Sequence, residues 1–175
     1  MNDSRGYVIF FWIASAACAA YGAAWMQGRA VAASSAPGMP LSGYVHLQDL
    51  GDVPLRDGVW AGTKGQSRRL EGFSLQFAVP VAGLGLAYMC HLQDMGDTSW
   101  LPAGSYCGTR GQSRRLEGFA IRLGGANASK YDVLYMCHLQ DIGDVGPVKN
   151  GDFCGTRGES RRVEAIIVWV KPKPQ

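Results

Sequence analysis

Between Tyr88 and Gln93 the side chains alternate. Tyr88, Cys90 and Leu92 fall on one side, and Met89, His91 and Gln93 on the other. A period of two predicts a half-buried β-strand. Asp94-Met95-Gly96-Asp97 follows with turn chemistry. Gly104 and the run Gly108-Thr109-Arg110-Gly111 mark further tight turns around a short strand at Ser105–Cys107. A closing segment carries the clearest alternation. Phe119, Ile121 and Leu123 share a face with Arg115 and Glu117, opposite Gly118, Ala120 and Arg122. One apolar face per strand suits an antiparallel sheet with one side wet. Nothing after Ala36 has a helical period, so the fold class is all-β.

The unit is written three times. Aligned on His46, His91 and His138, the copies cover about 44–77, 88–123 and 135–170, with periods of 45 and 47 residues. Periods of this size predict a repeat architecture. The closing faces of the first and third copies are Phe73, Leu75, Phe77 and Ile166, Val168, Val170. These triplets, with Leu47, Leu92 and Leu139, form the expected core. Three copies sharing one core predict a closed pseudo-threefold body, β-prism-like, with a β-trefoil as the alternative. The joining segments, Ala78 to Ala87 and Gly124 to Asp132, are short and glycine-rich, and predict hairpins between copies.

Ahead of this domain (44–175) and a linker (33–43) stands an apolar run without charge, Tyr7 to Met26. Ala30-Val31-Ala32 supplies a small-x-small site, so residues 1–32 read as a cleaved signal peptide, with an uncleaved membrane anchor as the alternative. Both send the rest of the chain out of the cytoplasm, to a secreted, periplasmic or cell-surface location. Cys18 sits inside that run without the spacing of a lipoprotein signal.

Composition narrows the function. The chain has 175 residues and a net charge of +3, and no Lys/Arg block exceeds two residues, which argues against nucleic acid as a partner. Its length leaves no room for a large cofactor enzyme, and no cofactor is expected.

The cysteines are informative by their pattern. Cys90 and Cys107, like Cys137 and Cys154, are 17 positions apart, and the first copy has Val45 and Ala61 in both places. Cysteines present or absent together predict two disulfides, each stabilising by about 3 kcal/mol. The pairing expected is between an opening strand and a short strand lying beside it.

The string Y-x-x-HLQ-x-x-G, then G-x-x-x-GT-x-G, then R-[LV]-E before alternating apolar residues, resembles the clostridial hydrophobic W repeat family. GT-x-G-x-x-x-R-[LV]-E recurs intact at Gly62–Glu71, Gly108–Glu117 and Gly155–Glu164. The resemblance implies tandem repeats in an exported protein, cell-surface binding or adhesion, and no catalysis. The family places Trp after the glycine of the opening turn, where this chain has Asp52, Asp97 and Asp144. Trp100 stands where some members carry a second aromatic residue, and its counterparts are Leu55 and Pro147.

The candidate ligand-binding residues are the polar turns. They are Gln48, Asp49 and Asp52, then Gln93, Asp94 and Asp97 with Trp100, then Gln140, Asp141 and Asp144. Acids beside Gln suit hydrogen bonds to sugar hydroxyls, and Asp and Gly are also what turns require. Three histidines converging on an axis would suit zinc, but the cysteine and leucine face looks the more buried. The Ser-Arg-Arg-[LV]-Glu runs read as structural, the second Arg paired with its Glu or with a turn Asp. The leading expectation is a non-catalytic module for glycan or envelope ligands. A structural protein assembling through protein–protein contacts is the alternative, and a hydrolase comes last. Three weak equivalent sites would gain from multivalency on a polymer.

Overall fold

The computed structural model describes residues 39–174, and the apolar N-terminal segment with Cys18 lies outside the described residues. The first repeat supplies β1 (Leu41–Leu47), β2 (Gly51–Arg56), β3 (Ala61–Gly62) and β4 (Leu70–Phe77). The second supplies β5 (Gly85–Leu92), β6 (Gly96–Asp97), β7 (Leu101–Pro102), β8 (Cys107–Gly108) and β9 (Leu116–Gly124). A 3₁₀ turn at Ala128–Lys130 leads to the third: β10 (Tyr131–Leu139), β11 (Gly143–Lys149), β12 (Cys154–Gly155) and β13 (Val163–Pro172). The fold is all-β, in three open antiparallel sheets, none of which closes into a barrel.

The sheets exchange strands in a cycle. In each repeat the opening strand pairs with the closing strand, as β1 with β4, β5 with β9 and β10 with β13. The short strand then leaves its own sheet. β8 of the second repeat adds to β4 of the first, and β12 of the third adds to β9 of the second. β3 of the first repeat adds to β13 of the third, which closes the circle.

A β-bulge makes this exchange possible. His46 pairs with Gly72 but Leu47 pairs with Leu70, leaving Glu71 as the extra residue; Glu117 and Glu164 stand in the same place. The unpaired carbonyl then has a partner in the next repeat. Thr109 N–H donates to Glu71 O at 3.0 Å, Thr156 to Glu117 O at 2.9 Å, and Thr63 to Glu164 O at 3.0 Å. The glycine before each Thr lies against that backbone. At Gly108 (φ 141°) a Cβ would come within 2.3 Å of Glu71 O. The GT and R-x-E halves of the motif are thus two sides of one joint.

Several expectations need correction. The joining segments do not form hairpins, because β4 and β5, like β9 and β10, belong to different sheets. The short strand begins at Cys107, and although it packs against its own opening strand it pairs with β4 of the preceding repeat. Each disulfide therefore links two sheets: Cys90–Cys107 and Cys137–Cys154, with Cα separations of 6.1 and 6.2 Å. The bulge also shifts the alternation, so Leu116, not Glu117, joins Phe119 in the core. Finally, Tyr44 is not the counterpart of Tyr88. It stands one residue closer to its histidine, and Gly43 occupies the matching position.

The core is one cluster. It contains the three leucines, Phe73, Leu75, Phe119, Ile121, Ile166, Val168 and Val170, while Phe77 and Leu123 pack at its edge. Val45, Cys90 and Cys137 are fully buried, as are Leu70, Leu116 and Val163. Tyr88 and Tyr135 reach between repeats. Tyr88 Oη accepts from Leu75 N–H at 3.2 Å and donates to Ser105 O, and Tyr135 does the same with Ile121 and Asp152. The first repeat has no such tyrosine. Leu55, paired opposite Gly43, is buried there instead.

Candidate functional site

Each opening hairpin turns through three residues, Gln-Asp-x, before its glycine. Leu92 and Gly96 pair across the turn, and Met95 N–H donates to Leu92 O at 3.2 Å. Asp49, Asp94 and Asp141 take the left-handed backbone conformation, with φ of 63°, 60° and 61°. Aspartate tolerates that conformation better than most residues, which explains an acid there in every copy.

The first arginine of each Ser-Arg-Arg run braces its turn. Arg114 Nη1 donates to Gln93 O at 3.0 Å and to Asp94 Oδ2 at 3.4 Å. Arg68 and Arg161 repeat both contacts with Gln48 and Asp49 and with Gln140 and Asp141. The second arginine grips the buried bulge glutamate, as Arg69 Nε to Glu71 Oε1 at 2.8 Å, with Arg115 and Arg162 alike. All six arginines therefore face acids of their own repeat, as the structural reading expects.

The two acids of each Gln-Asp-x-Gly-Asp run have different surroundings. Asp49, Asp94 and Asp141 keep 67 to 69% of their side-chain surface exposed. Between each of these and its glycine an apolar side chain projects outward: Leu50, Met95 and Ile142, with 51, 57 and 48% exposed. The recurrence of a large apolar residue at the turn tip was legible in the sequence, but alternation alone did not single it out.

Asp52, Asp97 and Asp144 instead bind across repeat boundaries. His46 Nδ1 lies 2.7 Å from Asp52 Oδ1, and Arg110 of the next repeat holds both carboxylate oxygens at 2.9 and 3.0 Å. Asp97 has His91 at 2.6 Å and Arg157 at 3.0 Å. Asp144 has His138 at 2.6 Å and Lys64 of the first repeat at 2.7 Å. The Arg110 guanidinium, then His46, holds the Asp52 carboxyl below the usual carboxylate range against the opposing effect of burial. Arg157 and His91 do so at Asp97, and Lys64 and His138 at Asp144.

The cations rest on aromatic rings one turn earlier. Lys64 Nζ lies 3.4 Å from the Trp60 centroid, Arg110 4.5 Å from Tyr106, and Arg157 3.5 Å from Phe153. Tyr44 stacks on Tyr106 at 6.1 Å. Each histidine is thus spoken for by an acid of its own repeat. Among the described residues no three His, Cys, Asp or Glu side chains gather as a metal site.

Trp100 lies apart from the three tips. It is 38% exposed, and the Arg122 guanidinium sits 4.1 Å over its ring. Its counterparts differ in burial, Leu55 being in the core and Pro147 exposed.

A family model described as Clostridial hydrophobic W matches the chain three times, at residues 46–77, 91–125 and 138–172. Each match begins at the histidine of a repeat; the first ends with its apolar triplet at Phe77, and the other two run two residues past theirs. Comparison with curated proteins gives no match, and comparison with solved structures gives none.

Proposed function

The chain belongs to the clostridial hydrophobic W family, and from that premise we propose that it is a non-catalytic binding module for glycans or other cell-surface ligands, working outside the cytoplasm. The family occurs commonly in extracellular and cell-surface proteins, and two disulfides suit an oxidising compartment. The body is taken as a β-prism with pseudo-threefold symmetry, and the cyclic exchange of β3, β8 and β12 supports that description.

The observation that carries the reading is the set of three hairpin tips. Each presents an exposed Asp in the same backbone conformation beside an exposed apolar side chain, braced by an arginine from behind. The fold buries none of these groups. An acid for hydroxyls next to an apolar contact is the chemistry that sugar faces require. Asp52, Asp97 and Asp144 serve the joints between repeats in this reading, so the ligand set reduces to the tips with Gln48, Gln93 and Gln140. Three weak tips acting together would hold a polymer far better than one.

The test is a glycan array and a cell-wall pulldown with the protein and with the triple variant Asp49→Ala, Asp94→Ala, Asp141→Ala. Binding that the triple variant loses while its melting temperature holds supports the reading. Binding by the triple variant at unchanged strength refutes it.

Leu50, Met95 and Ile142 favour a second reading, an envelope assembly protein that docks protein partners through its tips. Concentration-dependent oligomers in light scattering, together with silence on every glycan, would favour it.

A further inference from the structure

The threefold pattern fails at one place. Where each closing strand leaves its sheet, the residues after Phe77 are Ala78-Val79-Pro80, and those after Leu123 are Gly124-Gly125-Ala126. After Val170 they are Lys171-Pro172-Lys173. The residue ahead of the opening strand adds to this difference. It is Leu84 before β5, and Lys130 before Tyr131 at the head of β10. Lys173 N–H donates to Lys130 O at 2.9 Å, so the two basic segments run side by side.

Here the surface is concave. A cleft of about 340 Å³ is lined by Lys130, Tyr131, Pro172 and Lys173, and a second of about 200 Å³ adjoins it with Arg122 and Asn150. Tyr131 and Lys173 line both, so the two form one trough. Lys130, Lys173 and Arg122 are exposed, and Tyr131 is half-buried. The nearby acid is Asp132, whose side chain is 13% exposed. Its Oδ1 lies 3.7 Å from Lys173 Nζ and accepts from Asn150 Nδ2 at 2.6 Å. Three cations against one occupied carboxylate leave the trough positive. Arg122 is held in place over the Trp100 ring, 4.1 Å from its centroid.

We propose that this trough is a binding site for an acidic glycan, with sugar carboxylates on Lys130, Lys173 and Arg122 and a sugar ring against Tyr131. An aromatic ring flanked by cations is matched by a ring that carries both an apolar face and a carboxylate. The site is single, built by the segments that break the repeat, and independent of the three hairpin tips.

Affinity electrophoresis of the full chain through gels containing polygalacturonate or neutral dextran tests this. Retardation is expected with polygalacturonate, weakened by salt, and not with dextran. Lys130→Gln and Lys173→Gln should each weaken the apparent affinity by about threefold or more. Tyr131→Ala should weaken it as well. Arg56→Gln, which removes the same charge elsewhere, should leave it unchanged. Absence of retardation, equal retardation by dextran, or equal loss in Arg56→Gln would overturn the proposal.

Discussion

Arg110 holds both carboxylate oxygens of Asp52, at 2.9 and 3.0 Å, across 58 residues and a repeat boundary. Arg157 with Asp97 and Lys64 with Asp144 repeat the contact, so the joints between repeats are marked on the surface by the same charge pair. Directly beneath each pair lies the backbone joint of Thr to the bulge glutamate.

The surface pair and the buried one differ in weight. Asp52 and Arg110 are 44 and 42% exposed, so Arg110→Ala should cost no more than about 1 kcal/mol, and less in high salt. Glu71 is 6% exposed and forked by Arg69. Glu71→Ala should cost about 2–3 kcal/mol, because it strips a half-buried guanidinium of its partner. Urea denaturation of the two variants checks the order.

Acid should open the joints from the aspartates. Carboxyls of Asp52, Asp97 and Asp144 are depressed in the folded protein. A depressed folded value gives stability that is present above the unfolded value, about 3.9, and is lost as pH falls through the folded one. The melting temperature should therefore fall below about pH 4. Asp52→Asn, Asp97→Asn and Asp144→Asn together should flatten part of that fall. An acid limb unchanged in the triple variant would contradict the assignment.

Glycine is required at the joint and only preferred nearby. Gly108→Ala places a Cβ 2.3 Å from Glu71 O at φ 141°, so the strand must leave its partner. The expected loss is about 4 kcal/mol or more. Gly111→Ala, at φ 65° with nothing within 4 Å, should cost only about 1 kcal/mol. Thermal melts of both variants read the contrast directly.

The sulfur pairs can be replaced by copying the first repeat. Cys90→Val with Cys107→Ala reproduces Val45 and Ala61, which are buried at the same places. The double variant should fold and lose about 2–4 kcal/mol from the second repeat. Cys90→Ser with Cys107→Ser should lose more, because it buries hydroxyls where the sulfurs are fully enclosed.

The strands, the turns and the disulfide partners were legible in the sequence because each follows from short-range pattern. Alternation gave Tyr88–Leu92, and glycine with aspartate gave the tips. The co-occurrence of Cys90 and Cys107 gave the bond. The exchange of short strands was not legible, because nothing local in Ala61-Gly62 says which sheet it joins. The bulge at Glu71, Glu117 and Glu164 hid a parity change inside a regular alternation, and so set Glu117 on the wrong face. A one-residue offset likewise disguised Gly43, since sliding a strand by one turns every side chain over. The two roles of the acids at the site needed coordinates: Asp49 and Asp52 look alike in the sequence, and the positions of Arg68, His46 and Arg110 separate them. The basic residues of the trough were visible as letters, but their convergence depends on β10 and β13 lying side by side.

The account rests on repeats completed by their neighbours in a closed cycle, and its most distant joint is β3 on β13. Cross-strand nuclear Overhauser contacts in the isotope-labelled protein test it most directly. The register predicts contacts of Ala61 with Ile166 and of Gly62 with Ala165. Contacts of Ala61 and Gly62 with β1 or β4 of their own repeat, in place of those with β13, would contradict the account.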